Sequence, residues 1–202
     1  MWETGAFDPQ AFDDSFEIPH DFEIDLHILV RQNHQFLMEK IDQDEDQELA
    51  KLTDIDPDDA RHSMETSLSY FYDDLRRAAH NQTIVALVTR LSVWIGRLYK
   101  KVAKGKQQNG LWLQLPELEN VLGTGPTPIQ FFLELVTVRD SVIHNNSESK
   151  WEYNGKPRAV APQYVNSRDV VELTQEQVED AIKKCIEQVR WYDEKLGANR
   201  TP

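Results

Sequence analysis

The chain has 202 residues, 40% of them hydrophobic, a formal net charge of -13 and one cysteine. That length supports one sizeable core, and a lone Cys185 excludes an intramolecular disulfide and a cysteine-built structural zinc site. The acidic surplus excludes non-specific binding of duplex DNA by the whole surface, because neutralising phosphates needs clustered Lys and Arg.

Residues 1–18 set Trp2, Phe7, Phe12 and Phe16 among acids with Pro9, a spacing that suits neither helix nor strand. They read as an aromatic, acidic arm ahead of one helical domain at 19–197, followed by a short tail at 198–202. Met1-Trp2-Glu3-Thr4-Gly5 shows no basic start leading into an apolar run, and no stretch approaches the roughly 18 apolar residues of a membrane span. A cytoplasmic protein without membrane contact is the expectation. Residues 1–60 hold 18 acids against Arg31, Lys40 and Lys51, whereas residues 81–115 hold Arg90, Arg97, Lys100, Lys101, Lys104 and Lys106 and no acid. One segment is therefore suited to meet an anion although the whole molecule repels it.

From Pro19 to Leu52 the residues Phe22, Leu26, Leu29, Val30, Phe36, Leu37 and Ile41 recur at a helical period that fades into the acidic run 42–48. The spacing predicts a long first helix. Asp54 to Asp59 with Pro57 supplies acids and a proline at the start of a second helix, which should reach about His80 through Met64, Leu68, Phe71, Tyr72 and Leu75. Asn81 then caps or interrupts a third segment, whose broad apolar face runs from Ile84 to Val102 and makes it the expected core member.

After Gly105 and Gly110 a short helical turn is expected at 116–122, ahead of a hinge at Gly123-Thr124-Gly125. Thr127, Pro128 and Gln130 match an N-cap, a first-turn proline and an N3 glutamine, so a fourth helix should occupy 128–145. Trp151 to Pro157 reads as turn, with a small hairpin after it between Ala159-Val160, Tyr164-Val165 and Val170-Val171. Thr174 and Gln177 repeat the capping-box pattern before a last helix with Val178, Ile182, Cys185, Ile186, Val189 and Tyr192 on one stripe, ending at Gly197. The fold class is all-α: a bundle of about five helices with a small hairpin near the C-terminus.

Two patterns invite a metal and fit one poorly. His20, His27 and His34 recur every seven residues, which spaces them about 10.5 Å apart along one helix, too far to share an ion, so a surface stripe is expected. Asp54, Asp56, Asp58 and Glu65 echo a calcium loop, yet Asp59 holds its glycine position and Pro57 stiffens the turn, so helix capping is the simpler reading. No cofactor or metal is expected.

The fourth helix carries the most chemistry. Phe132, Leu135, Val136, Val142 and Ile143 form a stripe with Arg139 inside it, and a guanidinium so placed must be paired, solvated in a cleft or set at a subunit interface. Thr137, Asp140 and His144 lie three and four residues apart on the adjacent flank, so Asp140 is expected to hydrogen-bond and orient the His144 imidazole. Arg139 and His144 stand about 140 degrees apart on an ideal helix, so a second copy across a two-fold axis is expected to bring them to one point. In the plainer reading Arg139 extends from the helix face to water and His144 caps the helix C-terminus.

Arg139-Asp140-Ser141-Val142-Ile143-His144, followed by Asn145-Asn146, resembles the signature of HEPN domains. These are helical bundles marked by an Arg, a polar residue that is commonly Asn, Asp or His, three variable residues and a His. The resemblance covers six residues in a late helix and implies a HEPN-like fold with metal-independent RNA cleavage at a homodimer interface. It implies Arg139 and His144 as catalytic with Asp140 orienting, and a toxin or anti-phage defence role with an antitoxin as a fitting partner. Asn145 adds a phosphate or base contact, and Arg90, Arg97, Lys101 and Lys104, which recur at helical spacing, would guide RNA to the site. The alternative is a non-catalytic RNA- or protein-binding scaffold of the same fold, its acidic N-terminal third recruiting a basic partner. The acidic run Asp42 to Glu48 reads most simply as a solvated helix end, and otherwise as a cover for the basic stripe that restrains the site.

Overall fold

The computed structural model describes Ile24 and residues 26–53, 58–102 and 110–198. The expected aromatic arm lies outside these residues, as do Asp54 and Asp56 of the calcium-like loop and nearly all of the tail. The described part is mostly helical. Helix α1 spans Asn33–Lys51 and is preceded without a break by a π-wound stretch, Leu26–Gln32. Helix α2 spans Asp58–Val102, α3 Leu111–Leu122, α4 Ile129–His144 and α5 Gln175–Ala198, and between the last two lie strands β1 (Lys150–Tyr153) and β2 (Lys156–Ala159). Among the described residues no helix is long and apolar enough to cross a membrane.

Helix α2 replaces the expected second and third helices with one rod of 45 residues, about 67 Å long at 1.5 Å per residue. Asn81 neither caps nor interrupts it. Between residues 58 and 95 there is no Pro or Gly to break the ladder. Asn81 is itself buried; its Nδ2 reaches the Val171 carbonyl at 3.5 Å while its Oδ1 has no partner among the described residues, so the side chain faces a tertiary neighbour and does not bond the helix backbone.

The core forms around the second half of this rod, as its apolar face suggests. Ile84, Leu87, Val88, Leu91, Ile95 and Leu98 pack with Phe132, Leu135 and Val136 of α4, Val178, Ile182, Cys185 and Val189 of α5, and Leu115 and Leu118 of α3. Each such side chain, taken out of water, contributes about 1.5–3 kcal/mol. Helix α2 touches every other helix, and the π-wound stretch also reaches α5 through Leu26 and Val30. Cys185 is buried without a partner thiol, and burial pushes its pKa up, leaving it an inert packing group.

Along the first half of α2 the attachment is polar. Arg76 reaches α1 at Asp42 (2.9 Å) and Glu45, and the Tyr72 hydroxyl donates to Asp44 Oδ2 at 2.9 Å. The acidic run 42–48 thus anchors α1 to α2 as well as solvating its end. Glu65 pairs with Arg61 at 2.7 Å, one turn away.

His34, expected on a surface stripe, is buried instead, and its Nε2 lies 2.9 Å from Nδ1 of His80 on α2. One facing nitrogen must donate and the other accept, so the contact does not admit both rings in the charged form. Burial lowers both pKa values: that of His80 falls from 6.5 to about 4, with His34 and Arg76 adding to the effect, and that of His34 falls despite the opposing charge of Glu179. An unfolded imidazole takes its proton near pH 6.5 while folded His80 resists until about 4, so stability is whole above 6.5 and declines as pH falls toward 4. Between pH 7.5 and 5 the loss from His80 should be about 2 kcal/mol. Urea titrations of the wild type and His80→Phe across this range check it, the variant showing a flatter pH profile.

Several local signals held and others moved. Thr174 and Gln177 form the reciprocal capping box at the start of α5: Thr174 N donates to Gln177 Oε1 (2.9 Å) and Gln177 N to Thr174 Oγ1 (3.2 Å). The box expected at Thr127 does not form. Helix α4 begins at Ile129 with Pro128 as an extended N-cap residue and no capping side chain, because Thr127 is drawn inside, where its N–H donates to Gln188 Oε1 (3.4 Å). A Cβ at Gly125 would run into that same Gln188 amide, so the glycine permits a close approach instead of serving as a hinge. The turn expected at 116–122 extends to a full helix from Leu111. The hairpin also moves, forming at 150–159, where a turn was expected, while Val165 and Val171 make only an isolated antiparallel bridge. Asn154 and Gly155, both at positive φ, supply the two-residue turn that fixes its register.

Candidate functional site

Helix α4 is buried through Phe132, Leu135, Val136 and Val138, but its last turns leave the core. Arg139 and Asp140 are half-buried, Ile143 is 50% exposed and His144 is exposed. A loop then folds back over the helix end. Ser141 holds it, donating from Oγ to the Glu148 carbonyl (2.6 Å), while the Asn145 and Ser147 N–H groups both bond the Ser141 carbonyl (2.9 and 3.2 Å). Asn146 and Ser147 take left-handed φ values of 49° and 65°, which turn the chain directly into β1.

The result is a cleft of about 540 Å3 between the end of α4, the start of α3 and the hairpin. Arg139, Asp140, His144 and Asn145 all line it, together with Trp112, Trp151, Tyr153 and Arg158. One chain thus brings Arg139 and His144 to a common cavity, and the second copy invoked to overcome their angular separation is not needed for that purpose. The hairpin walls the cleft on the far side through Trp151, Tyr153 and Arg158.

Within the cleft the carboxylate takes a different partner from the one expected. Asp140 Oδ1 accepts from Arg139 Nε at 2.9 Å and Nη2 at 2.6 Å, whereas His144 has no hydrogen-bond partner among the described residues. A fixed cation outcompetes an imidazole for a carboxylate, since a two-pronged charge-assisted contact is the stronger bond. This answers how a guanidinium is tolerated inside an apolar stripe: it is paired, and it opens on a cleft. The Asn145 Nδ2 atom is buried and has no hydrogen-bond partner among the described residues, an unsatisfied donor beside the cavity.

The basic residues expected to guide RNA stand elsewhere. Arg90 is exposed and Arg97 half-buried on α2; neither lines the cleft, and both are engaged in interactions of their own. Lys101 lies in the last turn of α2 with its side chain outside the described residues, and Lys104 lies outside them altogether. The cation that does reach the cleft is Arg158, whose guanidinium lies over the Trp112 ring at 5.1 Å. No sequence motif marked Trp112, Trp151, Tyr153 or Arg158; the one available signal was the density of aromatic and basic residues from Lys150 to Arg158. Helix α3, which carries Trp112, is pinned to α2 by the Tyr99 hydroxyl donating to Glu117 Oε2 at 2.6 Å, a bond that pushes the phenol pKa up to about 12.

Among the described residues no three His, Cys, Asp or Glu side chains stand close enough to hold one metal ion. Compared with family models, with curated proteins and with solved structures, the chain matches none of them.

The Arg139–Asp140 pair yields a direct prediction. Both side chains are under a third exposed, and a half-solvated pair of this kind is worth about 1 kcal/mol, so an incoming phosphate must displace a carboxylate at roughly that cost. For a phosphate that docks on Arg139, Asp140→Asn should therefore tighten binding about fivefold, read by fluorescence anisotropy with a labelled oligonucleotide as the probe. A tenfold loss of binding or activity would instead return Asp140 to the role of orienting His144.

Proposed function

We propose that the chain is a HEPN-like endoribonuclease that needs no metal, with Arg139 and His144 acting on one scissile phosphate. The observation carrying this reading is the cleft that gathers a guanidinium, an exposed imidazole, the Asn145 amide and aromatic rings around a volume of about 540 Å3. In the reaction the ribose 2'-oxygen attacks the adjacent phosphorus and the 5'-oxygen departs. His144 either takes the 2'-hydroxyl proton while water protonates the departing 5'-oxygen, or protonates that oxygen while water takes the 2'-hydroxyl proton, and Arg139 turns from Asp140 to the phosphate oxygens. Asn145 is poised to donate to the phosphate or a base.

A homodimer belongs to this reading. The exposed Ile143, beside His144, offers an apolar contact through which a second copy would set its own Arg139 and His144 near the first. A toxin or defence role, with RNA as substrate and an antitoxin as partner, follows from the HEPN resemblance, while a basic protein partner follows from the acidic N-terminal third and a cytoplasmic location from the sequence pattern. The reading is tested by incubating purified protein with single-stranded RNA in EDTA, with Arg139→Ala and His144→Ala as controls and the oligomeric state followed by light scattering. Cutting by the wild type alone supports it.

One observation favours a binding role instead: Arg139 already has Asp140 as its partner. A protein that holds RNA or a protein partner without cutting would leave that pair intact, and both single variants would then change affinity without any product appearing.

A further inference from the structure

The hairpin has a chemically distinct face. Antiparallel pairing sets Trp151 opposite Arg158 and Tyr153 opposite Lys156. Residues opposite one another, and those two apart along a strand, share a face, so two rings and two cations stand together there. Trp151, Tyr153 and Arg158 line the same cleft as Arg139, and Trp112 meets them from α3 with its ring under the Arg158 guanidinium at 5.1 Å. Arg158 makes no ion pair with a carboxylate among the described residues, so its charge is available to a ligand. Tyr153 is 60% exposed, and Trp112, one face of whose ring meets the Arg158 guanidinium, is 38% exposed.

We infer that Trp112 and Tyr153, with Arg158, form a subsite that stacks an unpaired nucleobase beside the phosphate held by Arg139. This inference rests on the ribonuclease reading for the phosphate and extends it to the base. The cleft sets its rings beside Arg139 and Arg158, with Asp140 and Glu152 as its acids, and rings beside cations are what a single strand needs, since every base offers a π-face and every link a phosphate. A duplex hides its bases and is met across a broad face spanning about 16 base pairs, whereas a cavity of about 540 Å3 has the size of a small-molecule pocket. The unsatisfied Asn145 Nδ2 adds a donor within the same lining.

The experiment measures affinity for a short 2'-O-methyl oligoribonucleotide, which cannot be cut, as a single strand and as a duplex, and in parallel the cutting of the unmodified strand. Tyr153→Ala is the primary variant because its exposed side chain leaves the core untouched; Trp112→Phe, which keeps a stacking ring, controls for Trp112→Ala. Expected is a preference of the wild type for the single strand, a loss of roughly 5- to 100-fold for each of Tyr153→Ala and Trp112→Ala, and recovery in Trp112→Phe. In the cutting assay these variants raise KM with little change in kcat. Ring-dependent binding without cutting keeps the subsite and removes the ribonuclease. Cutting that persists while Tyr153→Ala and Trp112→Ala bind the single strand as the wild type does removes the subsite and keeps the ribonuclease. Equal affinity for duplex and single strand, or no binding of either, overturns the inference.

Discussion

The His144→Ala protein should cut single-stranded RNA in EDTA between about a hundredfold and ten-thousandfold more slowly than the wild type, the range associated with a positioned proton donor or acceptor. Fold stability should hardly change. His144 is exposed in the last turn of α4 and has no hydrogen-bond partner among the described residues, so the folded state loses only its interaction with the helix terminus, at most about 1 kcal/mol. Activity measured beside a urea titration separates chemistry from folding. A His144→Ala protein as unstable as it is inactive would make the imidazole a structural cap.

Arg139→Ala should lower kcat by about a hundredfold to a thousandfold, the size seen when one preorganised group facing a developing negative charge is removed. The guanidinium presents Nε and Nη2 in a planar fork, which now grips a single carboxylate oxygen of Asp140 and can grip phosphate oxygens in the same way. Arg139→Lys keeps the charge and loses the fork, so it should recover only part of the rate. Full recovery by lysine would show that charge alone matters. Equal binding of non-cleavable RNA by Arg139→Ala and wild type would place the phosphate elsewhere.

Legibility in the sequence followed the range of the forces involved. Helix α4 was expected at 128–145 and spans Ile129–His144, and the Thr174–Gln177 box was readable because capping acts over three residues. Asn81 misled because its side chain is spent on Val171, 90 residues away, a contact no local pattern displays. Strand pairing at 150–159 depends on the Asn154-Gly155 turn, whereas the β-branched residues further on have the stronger strand propensity and no such turn between them.

Within the site, the residues of the R-D-x-x-x-H pattern do share a cleft, but their wiring was misjudged. Spacing rules for helices favour partners three or four apart, hence Asp140 with His144. A long arginine side chain at a helix end is free to curl back on its immediate neighbour, and its permanent charge decides the competition. Trp112, Trp151, Tyr153 and Arg158 come from α3 and the hairpin, so only the fold assembles them. The basic stripe of α2 failed as a guide for the converse reason: regular spacing along one helix does not say what the other elements place beside it.

The most direct measurement identifies the ends of the RNA fragments released in EDTA by the wild type, Arg139→Ala and His144→Ala proteins. Attack by the 2'-oxygen predicts fragments ending in a 2',3'-cyclic phosphate and starting with a free 5'-hydroxyl, abundant with the wild type and nearly absent with either variant. Fragments carrying 5'-phosphates, or the same cyclic products at undiminished rate from both variants, would contradict the assignment of Arg139 and His144.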